Sequence, residues 1–553
     1  GILHADATFE RVRGGLAGTA VAQVPTTTCE AMLSVNIPDT EINSATVIAA
    51  TATRPAHCDV VAVTHGEPGS TVGVEVRLPD GWNGKLLFTT KQGFLGSLAP
   101  LGNPAIADAL GRHYATVTTD GGHSNPSILD ASFGLNNRPA EVDFGYRAVH
   151  LAKVVAATLI YQYYGSEPVH SYYNGCSTSG RLALQAGEHY PDDFDGIIAG
   201  DPVLDMTGLT IGFNWDMQAT LANPIPKEKL SVVYNAVMNA CDALDGLEDG
   251  LIDDPSACHF DLSTLACAEG QDPTTCLTAG EIGAFEKIYA GPSRSATAPE
   301  DPGEQIYPGF AFGGELPDGK QGWDVYVTAP TPLQLVLQDQ YLRYLAFDPD
   351  DPNFDWRTFD FDTDPQRMQT MHQIIDAVQD DLTAFSDAGG KMIIYQGWGD
   401  IAQSPYRTIE YYKGLRRHVG RRPVENFARL FMAPGMYHCG GGVGPNTFDA
   451  LTALERWVEQ GQAPSFILAS HTQAPGVDRT RPLCPFPQRA VYKGSGSIYD
   501  AASFTCGGPP IGTAVTGSLN LFDTTAKPRE TAGKGQFPGL FTNFAGSNFN
   551  KQR

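Results

Sequence analysis

The hydrophobic positions along much of the chain change repeatedly between the spacing of strands and the spacing of helices. Residues 70–90 alternate and then become continuously apolar, which predicts strands joined at the turn Asp80-Gly81. Farther along, the pattern predicts strands at 113–119, 170–174, 196–199, 391–395 and 428–432, and helices at 142–164, 181–188 and 406–415. This succession of strand, helix and strand indicates a parallel α/β sheet with right-handed crossovers.

This rhythm stops between residues 204 and 380, where Pro, Gly and Asp are frequent, aromatic residues are scattered and four cysteines occur. Because 553 residues exceed what one compact core accommodates, the stretch is interpreted as an inserted second unit, most simply a lid. We therefore predict a first part of the α/β core at 1–203, an inserted lid at 204–380, a second part of the core at 381–510, and a loosely attached C-terminal tail at 511–553.

The composition is typical of a folded protein, with 42% hydrophobic, 10% aromatic and 18% charged residues. No apolar run approaches the roughly 18–20 residues needed to cross a bilayer, so no membrane is expected as a partner. The formal net charge of −25 also argues against nucleic acid, because the phosphate backbone repels an acidic surface. No signal peptide is recognisable at Gly1, and the oligomeric state is not indicated.

Ten cysteines without a C-x-x-C pair argue against zinc knuckles and thioredoxin-type redox sites. Pairing by local spacing accounts for eight of them and leaves two for each other. The predicted disulfides are Cys29–Cys58, Cys241–Cys258, Cys267–Cys276, Cys484–Cys506 and Cys176–Cys439. Five disulfides predict a secreted or periplasmic protein, with ten reduced cysteines in a cytosolic enzyme as the alternative. Since no N-x-[ST] sequon without proline occurs, bacterial export is favoured over fungal secretion.

A candidate nucleophile, Ser177, lies among small residues between a predicted strand and a predicted helix. A nucleophile elbow requires this context, because a sharp turn must present the hydroxyl above the sheet. The usual G-x-S-x-G motif has a glycine where this chain has Ser179, and Gly180 follows instead. The same turn would direct the N–H of Thr178 toward a developing oxyanion. Taken alone, a serine in such a turn is more often structural than catalytic.

The candidate base and acid also follow predicted strands. His438 lies in a glycine-rich loop after a late strand, and Asp400 comes shortly after the strand before it. The order Ser, Asp, His is that of α/β-hydrolases. Serine needs a base for its proton and the imidazole needs a carboxylate, so we predict a triad of Ser177, His438 and Asp400. A Cys176–Cys439 disulfide would hold the two reacting loops together.

The constellation Cys176-Ser177, Asp400 and His438-Cys439 resembles that of the tannase/feruloyl esterase family, in which a disulfide joins the two catalytic loops. The resemblance extends from about Cys29 to Cys506. Further matching segments are WNGK (82–85), TDGGH (119–123), YPDDFDGIIAG (190–200), GGKMIIYQGWGD (389–400), ARLFMAPGMYHC (428–439) and RTRPLCPFP (479–487). It implies an α/β-hydrolase fold with a lid, and a small aromatic ester as substrate: a feruloyl or chlorogenate, galloyl or mono-terephthalate ester.

The resemblance also implies a structural calcium ion (Ca²⁺) in the lid. The implied ligands are the carboxylates of Asp242, Asp245 and Asp249 and the backbone carbonyls of Leu247 and Leu251. Three carboxylates within eight residues suit a hard cation, although the spacing is not that of an EF-hand. Without the resemblance, an acidic surface turn closed by a disulfide explains these residues equally well.

The second oxyanion donor implied by the resemblance is the N–H of Gly93. The family usually has a run of glycines here, whereas this chain keeps Gly93 and Gly96 and has Lys91 and Gln92 before them. These two longer side chains are expected close to the mouth of the site, so the choice of substrate is expected to differ from that of close relatives.

Substrate contacts are expected from the lid and from the acid loop. The candidates for an aromatic platform are Trp323, Tyr326 and Tyr341, although ordinary lid core is an equal alternative for each. Gln403, three positions after the catalytic Asp, replaces an aromatic residue of the family and is a further candidate. An arginine that members of the family use for a free carboxylate of the substrate has no evident counterpart in this lid, which weakens the mono-terephthalate interpretation.

Two other functional classes remain open at this point. One is a serine exopeptidase or amidase on the same fold, which would cleave amides where an esterase would not. The other is a catalytically inactive, calcium-containing binding protein, which would bind aromatic ligands without reacting at Ser177.

Overall fold

The structure is a computed structural model, and it describes residues 22–473, 476–508 and 511 of the 553 residues. The tail predicted at 511–553 lies outside the described residues apart from Ile511, as do the first 21 residues of the predicted core. Within the described ranges, no helix combines the length and the apolar character needed to cross a membrane.

Strands and helices alternate through the first and last thirds of the described chain. The strands are β1 Thr40–Ile48, β2 His57–Thr64, β3 Val72–Pro79, β4 Lys85–Phe88, β5 Ala115–Thr119, β6 His170–Cys176, β7 Gly196–Gly200, β8 Lys391–Gly397, β9 Ala428–Ala433, β10 Thr447–Phe448, β11 Ile467–Gln473, β12 Gly476–Leu483, β13 Arg489–Tyr492 and β14 Phe504–Gly507. The α-helices are α1 Pro104–Gly111, α2 Arg138–Val142, α3 Ala148–Tyr164, α4 Thr178–His189, α5 Met206–Ala222, α6 Lys227–Cys241, α7 Ala279–Ala290, α8 Trp323–Tyr326, α9 Leu333–Tyr344, α10 Gln369–Ile375, α11 Thr383–Asp387, α12 Pro405–His418, α13 Arg421–Phe427 and α14 Ala450–Gln460. A π-turn at Asp143–Arg147 connects α2 to α3, and short 3-10 helices lie at Glu30–Ser34, Ser132–Gly134, Asp242–Asp245, Pro255–Ala257, Leu262–Leu265, Pro273–Thr275, Trp356–Thr358, Asp364–Met368 and Ala501–Ser503.

Nine strands form one mixed sheet in the order β1-β2-β3-β5-β4-β6-β7-β8-β9. The first four strands in this order pair antiparallel, and the six strands from β5 to β9 pair parallel. Because the six parallel strands end at the same edge of the sheet, the loops that follow them converge there. The predicted α/β fold is confirmed, and its sheet and helices are of the α/β-hydrolase type.

The central strands are continuously apolar because helices cover both faces of the sheet. On β7, Ile197 belongs to the core cluster that α3 and α4 cover, whereas its neighbour Ile198 belongs to the cluster beneath α14. All five residues of this strand are buried. The alternation of side chains along a strand therefore supplies both hydrophobic layers from one short segment.

Three features differ from the sequence-based expectations. The strands on either side of Asp80-Gly81, β3 and β4, are not neighbours, because β5 lies between them. The helix expected at 142–164 is divided by the π-turn, so that α3 begins only at Ala148. The helix expected at 181–188 begins earlier, at Thr178, directly after Ser177.

The chain between β7 and β8 forms the helices α5 to α11. Residues 201–390 are all described, and they contain isolated β-bridges but no strand of a sheet. Helix α5 packs against α7 and α9. The predicted lid at 204–380 falls within this helical segment. Its exact limits, and those of the other predicted units, remain a prediction.

The ten cysteines form the five disulfides that local spacing predicts. The bonded pairs are Cys29–Cys58, Cys176–Cys439, Cys241–Cys258, Cys267–Cys276 and Cys484–Cys506. Four of them close loops of 9 to 29 residues, whereas Cys176–Cys439 spans 263 residues and joins two loops at the carboxyl edge of the sheet.

Candidate active site

Ser177 lies at the sharp turn between β6 and α4. Its backbone has φ 62° and ψ −127°, a conformation that a non-glycine residue adopts only where the surroundings enforce it. The N–H of Ser177 donates to the carbonyl of Gly200 at 2.9 Å, which fixes the turn against the end of β7. This is the geometry of a nucleophile elbow, with the hydroxyl directed away from the sheet.

The departure from the usual elbow motif has a steric explanation. A Cβ at Gly175 would lie 2.5 Å from the carbonyl oxygen of Ser179, and a Cβ at Gly180 would lie 2.6 Å from that of Gly200. Glycine is therefore required at 175 and at 180, whereas position 179 accepts a serine. The buried hydroxyl of Ser179 accepts a hydrogen bond from the hydroxyl of Thr90 at 2.8 Å. Ser179 thus ties the elbow to the segment that leads into Gly93.

The structure brings the three predicted triad residues into one chain of hydrogen bonds. The Nε2 of His438 lies 2.8 Å from the Oγ of Ser177, and its Nδ1 lies 2.9 Å from the Oδ2 of Asp400. The other oxygen of Asp400 accepts the N–H groups of Ala402 at 2.7 Å and Gln403 at 2.9 Å. With Nδ1–H directed at the carboxylate, Nε2 is left as the acceptor for the serine proton.

The pKa of His438 reflects opposing influences. Burial lowers this pKa, whereas the charge of Asp400, the hydrogen bond that the imidazole donates to Asp400 and the charge of Asp201 raise it, and the result is a pKa above the ordinary 6.5. The site therefore stabilises the imidazolium that forms when His438 takes a proton. The ring of Tyr326 faces the imidazole edge-on, with the ring centres 6.3 Å apart.

Two backbone amides beside Ser177 are available to an oxyanion. The N–H groups of Gly93 and Thr178 belong to residues that line the same cavity as Ser177, and neither donates to another of the described residues. Gly93 has φ 61°, and a Cβ there would lie 2.5 Å from the carbonyl oxygen of Ile128. This position therefore requires glycine.

The catalytic groups open into a cavity of about 210 Å³ between the core and the helical segment. Its walls are mainly apolar. They are formed by Gln92, Gly93, Phe94, Ile128, Leu129, Ser177, Thr178, Val203, Met206, Leu209, Thr210, Phe213, Lys320, Gln321, Tyr326, Leu333, Leu337, Tyr341, Ala402 and His438. A larger open groove of about 770 Å³ lies on the other side of the disulfide, but neither Ser177 nor His438 lines it. The smaller cavity is therefore the one into which the candidate triad opens.

Only some of the residues predicted to contact substrate line this cavity. Tyr326 and Tyr341 line it, as does Gln92. Trp323 does not, because it is buried in a cluster of aromatic side chains within the helical segment. Gln403 does not line it either, since its side chain is fully buried and accepts a hydrogen bond from Tyr307 at 3.1 Å. The structure thus places Trp323 and Gln403 away from this cavity, and a substrate contact by either residue stays a prediction.

Lys91 also differs from expectation. Its Nζ donates to the hydroxyl of Ser97 at 2.8 Å, so its side chain is turned away from the cavity that Gln92 lines.

One buried acid beside the triad, Asp201, was not identified from the sequence. Asp201 directly follows β7, just as Asp400 comes shortly after β8. A polar residue at the end of a buried parallel strand is the sequence feature that could have identified it. Burial and the nearby charge of Asp400 raise its pKa well above the ordinary 3.8. The apolar residues of α5 and α9 that line the cavity gave no comparable signal.

The disulfide Cys176–Cys439 joins the residue before Ser177 to the residue after His438. The two Cα atoms are 6.0 Å apart, and the Nε2 of Gln92 lies 3.5 Å from the Sγ of Cys439. The disulfide lines the larger groove, and Gln92 beside it lines both that groove and the smaller cavity.

The predicted calcium loop follows α6 and is closed by Cys241–Cys258. Its donors are all oxygen atoms, as a hard cation requires. Burial raises the pKa of Asp245 to about 6 and that of the neighbouring Asp253 to about 7, and the charge of Asp249 contributes to both. The Oδ1 of Asp253 is buried and has no hydrogen-bond partner among the described residues.

These features fit a cation, although protein groups already contact each carboxylate of the loop. Asp242 accepts the N–H groups of Asp249 and Gly250, and Asp245 accepts those of Leu247 and Asp253. The remaining carboxylate, that of Asp249, forms an ion pair with Arg481 of β12.

Tighter groups of candidate ligand atoms occur elsewhere in the part of the chain that the structure describes. Their members are Cys176, Asp201 and Cys439 in one case and Asp205, His372 and Asp376 in the other. The first is occupied by the disulfide, and in the second Asp205 is neutralised by Arg407.

Comparison with known proteins gives consistent matches. A family model described as tannase and feruloyl esterase matches residues 58–507. The chain is 35% identical over 555 residues to an uncharacterized esterase of Xanthomonas campestris, covering 90% of this chain and 94% of that protein. It is 34% identical over 570 residues to the mono(2-hydroxyethyl) terephthalate hydrolase of Piscinibacter sakaiensis, covering 87% of this chain and 92% of that protein. The crystal structure of feruloyl esterase B from Aspergillus oryzae superimposes with a TM-score of 0.77 at 27% identity, covering 87% of this chain and all of that one.

Proposed function

The chain belongs to the tannase and feruloyl esterase family of carboxylic ester hydrolases, and from this we propose that it is a serine hydrolase that cleaves esters of aromatic carboxylic acids. The observation that carries the proposal is the hydrogen-bonded chain from Ser177 through His438 to Asp400. This chain opens into an apolar cavity beside two backbone amides that donate to no other residue in the described part of the protein.

The proposed reaction proceeds through an acyl-enzyme. Ser177 attacks the ester carbonyl while the Nε2 of His438 takes its proton, and the N–H groups of Gly93 and Thr178 stabilise the oxyanion. His438 then gives this proton to the leaving alcohol. A water molecule, activated by the same imidazole, hydrolyses the acyl-enzyme and releases the acid. Asp400 holds the imidazole in one tautomer and stabilises its positive charge throughout.

The aromatic acyl group is proposed to occupy the apolar cavity. The rings of Tyr326 and Tyr341 and the aliphatic side chains of α5 and α9 would pack against one aromatic ring. Relatives are named as feruloyl esterases and as a mono(2-hydroxyethyl) terephthalate hydrolase, which supports acids of this size. The alcohol would leave toward the mouth of the cavity, close to Gln92.

A substrate panel with a matched inactive variant tests this function. Wild type and Ser177→Ala are assayed with methyl ferulate, chlorogenate, methyl gallate and mono(2-hydroxyethyl) terephthalate, and with the corresponding anilides. Wild type is expected to hydrolyse at least one ester, and Ser177→Ala is expected to lose roughly 10⁴- to 10⁶-fold in kcat. Cleavage of the anilides alone would support the amidase alternative. Binding of aromatic acids without labelling of Ser177 by a fluorophosphonate would support the inactive binding protein.

We further propose that the loop after α6 holds a structural calcium ion. The carboxylates of Asp242, Asp245 and Asp249 and the carbonyls of Leu247 and Leu251 would be its ligands, with the buried carboxylate of Asp253 as a neighbour. The ion would neutralise the crowded carboxylates and would take no part in the chemistry, since none of these residues lines the catalytic cavity.

The five disulfides support an oxidising location, and we propose that the protein is secreted or periplasmic.

A further inference from the structure

The buried side chain of Asp201 contacts both loops that carry the acid and the base. Its Oδ1 accepts the N–H of Gly397 at 2.7 Å and the side-chain amide of Gln396 at 3.0 Å. Its Oδ2 accepts the N–H of Cys439 at 2.9 Å, the residue next to His438. A single carboxylate thus connects the end of β8 to the His438 loop.

Gln396 extends this connection to the triad itself. Its Nε2, which donates to Asp201, also lies 3.0 Å from the Oδ2 of Asp400, the same oxygen that receives the imidazole Nδ1. Its Oε1 accepts a hydrogen bond from the hydroxyl of Thr408 at 2.8 Å. This second bond fixes the orientation of the amide, so that its NH₂ group faces both carboxylates.

Resting on the proposed function, we propose that Asp201 is a positioning residue of the reaction, which holds the Asp400 loop and the His438 loop in register through Gln396 and the N–H of Cys439. Asp201 does not line the catalytic cavity and does not touch the reacting atoms. Its effect is therefore exerted on the geometry of the triad and not on substrate binding.

The environment of Asp201 is unfavourable for a residue with a purely structural role. It is fully buried, its backbone φ is 35°, and burial together with Asp400 raises its pKa. A neutral residue would avoid the burial of a second carboxyl group beside Asp400. Three N–H donors directed at its two oxygens explain how the side chain is held in spite of this.

Loss of Asp201 would remove the hydrogen-bond acceptor that holds the His438 loop at the N–H of Cys439. Among the residues that the structure describes, loss of the acceptor for the N–H of Cys439 leaves the disulfide and the bond to Ser177 as the direct restraints between the elbow and the His438 loop. A shift of a fraction of an ångström would lengthen the 2.8 Å contact between Nε2 and Oγ. Misplacement of this kind lowers the rate of the chemical step, while the cavity and its affinity for substrate are retained.

The test compares Asp201→Asn with Asp216→Asn. Asp216 is a buried carboxyl group of α5 that accepts a hydrogen bond from Gln334 and, among the described residues, has no hydrogen bond to the triad, so it controls for the removal of a buried acid. For Asp201→Asn, kcat on methyl ferulate, or on whichever ester of the panel the wild type hydrolyses, is expected to fall by about 10- to 100-fold, with KM within about threefold of the wild type. The rate at which a fluorophosphonate labels Ser177 should fall in parallel. Asp216→Asn should retain kcat at a similar loss of Tm.

Thiol titration should find no free cysteine in either variant, which shows that the disulfides have formed. A kcat for Asp201→Asn within twofold of the wild type, or a loss no larger than that of the control, would overturn the proposal. If Asp201→Asn does not fold, Gln396→Leu breaks the same path and is judged by the same kcat criterion. A wild type that hydrolyses no ester of the panel would instead contradict the proposed function, so the two failures are distinguishable.

Discussion

Ser177 and Asp201 both have positive φ angles, 62° and 35°, although neither is a glycine. Conformations of this kind cost of order 1–3 kcal/mol each and persist where the surrounding structure enforces them. The two residues follow neighbouring parallel strands, β6 and β7, and the carbonyl of Gly200 accepts the N–H of Ser177 between them. At the residue scale, the carboxyl edge of the sheet is thus one place where the backbone is held in a strained conformation, beside the candidate triad.

Gly93→Ala is expected to lower kcat by about 10²- to 10³-fold, the range for loss of one oxyanion donor. The added Cβ would lie 2.5 Å from the carbonyl oxygen of Ile128, and a positive φ disfavours alanine, so the N–H must move. Gly102→Ala is the matched control, because a Cβ there has no neighbour within 4 Å. The measurement is kcat and KM on the best ester. Equal activity of the two variants would remove Gly93 from the oxyanion hole.

The pH dependence of kcat/KM is expected to show an acid limb with its midpoint above pH 6.5. His438 acts as a base only when neutral, so activity is lost as the pH falls through its pKa, and Asp400 and Asp201 raise that pKa. Asp400→Asn should move the limb to lower pH and cost about 10⁴-fold in kcat. A wild-type midpoint below pH 6 would contradict the assignment of His438 as the base.

At the scale of elements, periodicity predicts the central strands well because they are buried on both faces and therefore continuously apolar. The runs at 196–199 and 391–395 illustrate this, since both lie within strands of the sheet, β7 and β8. Periodicity does not predict that β5 separates β3 from β4, because pairing depends on contacts between residues distant in sequence. Nor does it reveal the π-turn before α3, which a local repeat cannot distinguish from a continuous helix.

The residues of the candidate site likewise differ in how well the sequence predicts them. Ser177, Asp400 and His438 could be predicted because each follows a strand, and loops after parallel strands meet at one edge. The lining of the cavity could not, because it depends on how separate helices of the insertion pack. Trp323 and Tyr326 both belong to α8, yet one is buried among aromatic side chains and the other faces His438.

Removal of the disulfide by Cys176→Ala with Cys439→Ala is expected to lower both stability and kcat. The bond closes 263 residues, so its loss should cost about 2–5 kcal/mol of unfolding free energy, and the freed loops should reduce kcat about 10²-fold. Cys267→Ala with Cys276→Ala is the control, because that bond closes a loop of only 9 residues and neither cysteine lines the cavity. Chemical denaturation and steady-state kinetics measure the two effects. Unchanged kcat in the first variant would show that the bond does not hold the catalytic loops.

At the scale of the whole molecule, the core and the helical insertion form the cavity together. The core supplies Ser177, His438 and Gly93, and the insertion closes the cavity with side chains of α5, α8 and α9. The proposed calcium loop of the insertion also contacts the core. Arg481 of β12, in the second part of the core, pairs with Asp249 of the loop. A cation bound there would therefore stabilise the attachment of the insertion to the core.

Removal of calcium is accordingly expected to destabilise the protein without abolishing its activity at moderate temperature. A ligand present at 100 times its Kd stabilises the folded state by about 2.7 kcal/mol, so dialysis against EGTA should lower Tm by several degrees, and added Ca²⁺ but not Na⁺ should restore it. Asp245→Asn should lower Tm and lose this response, because the loop would lack one of its carboxylates. Asp261→Asn, which removes an exposed charge outside the loop, should keep it. An identical Tm with EGTA and with Ca²⁺, in a preparation free of bound metal by elemental analysis, would leave the acidic surface turn as the explanation of these residues.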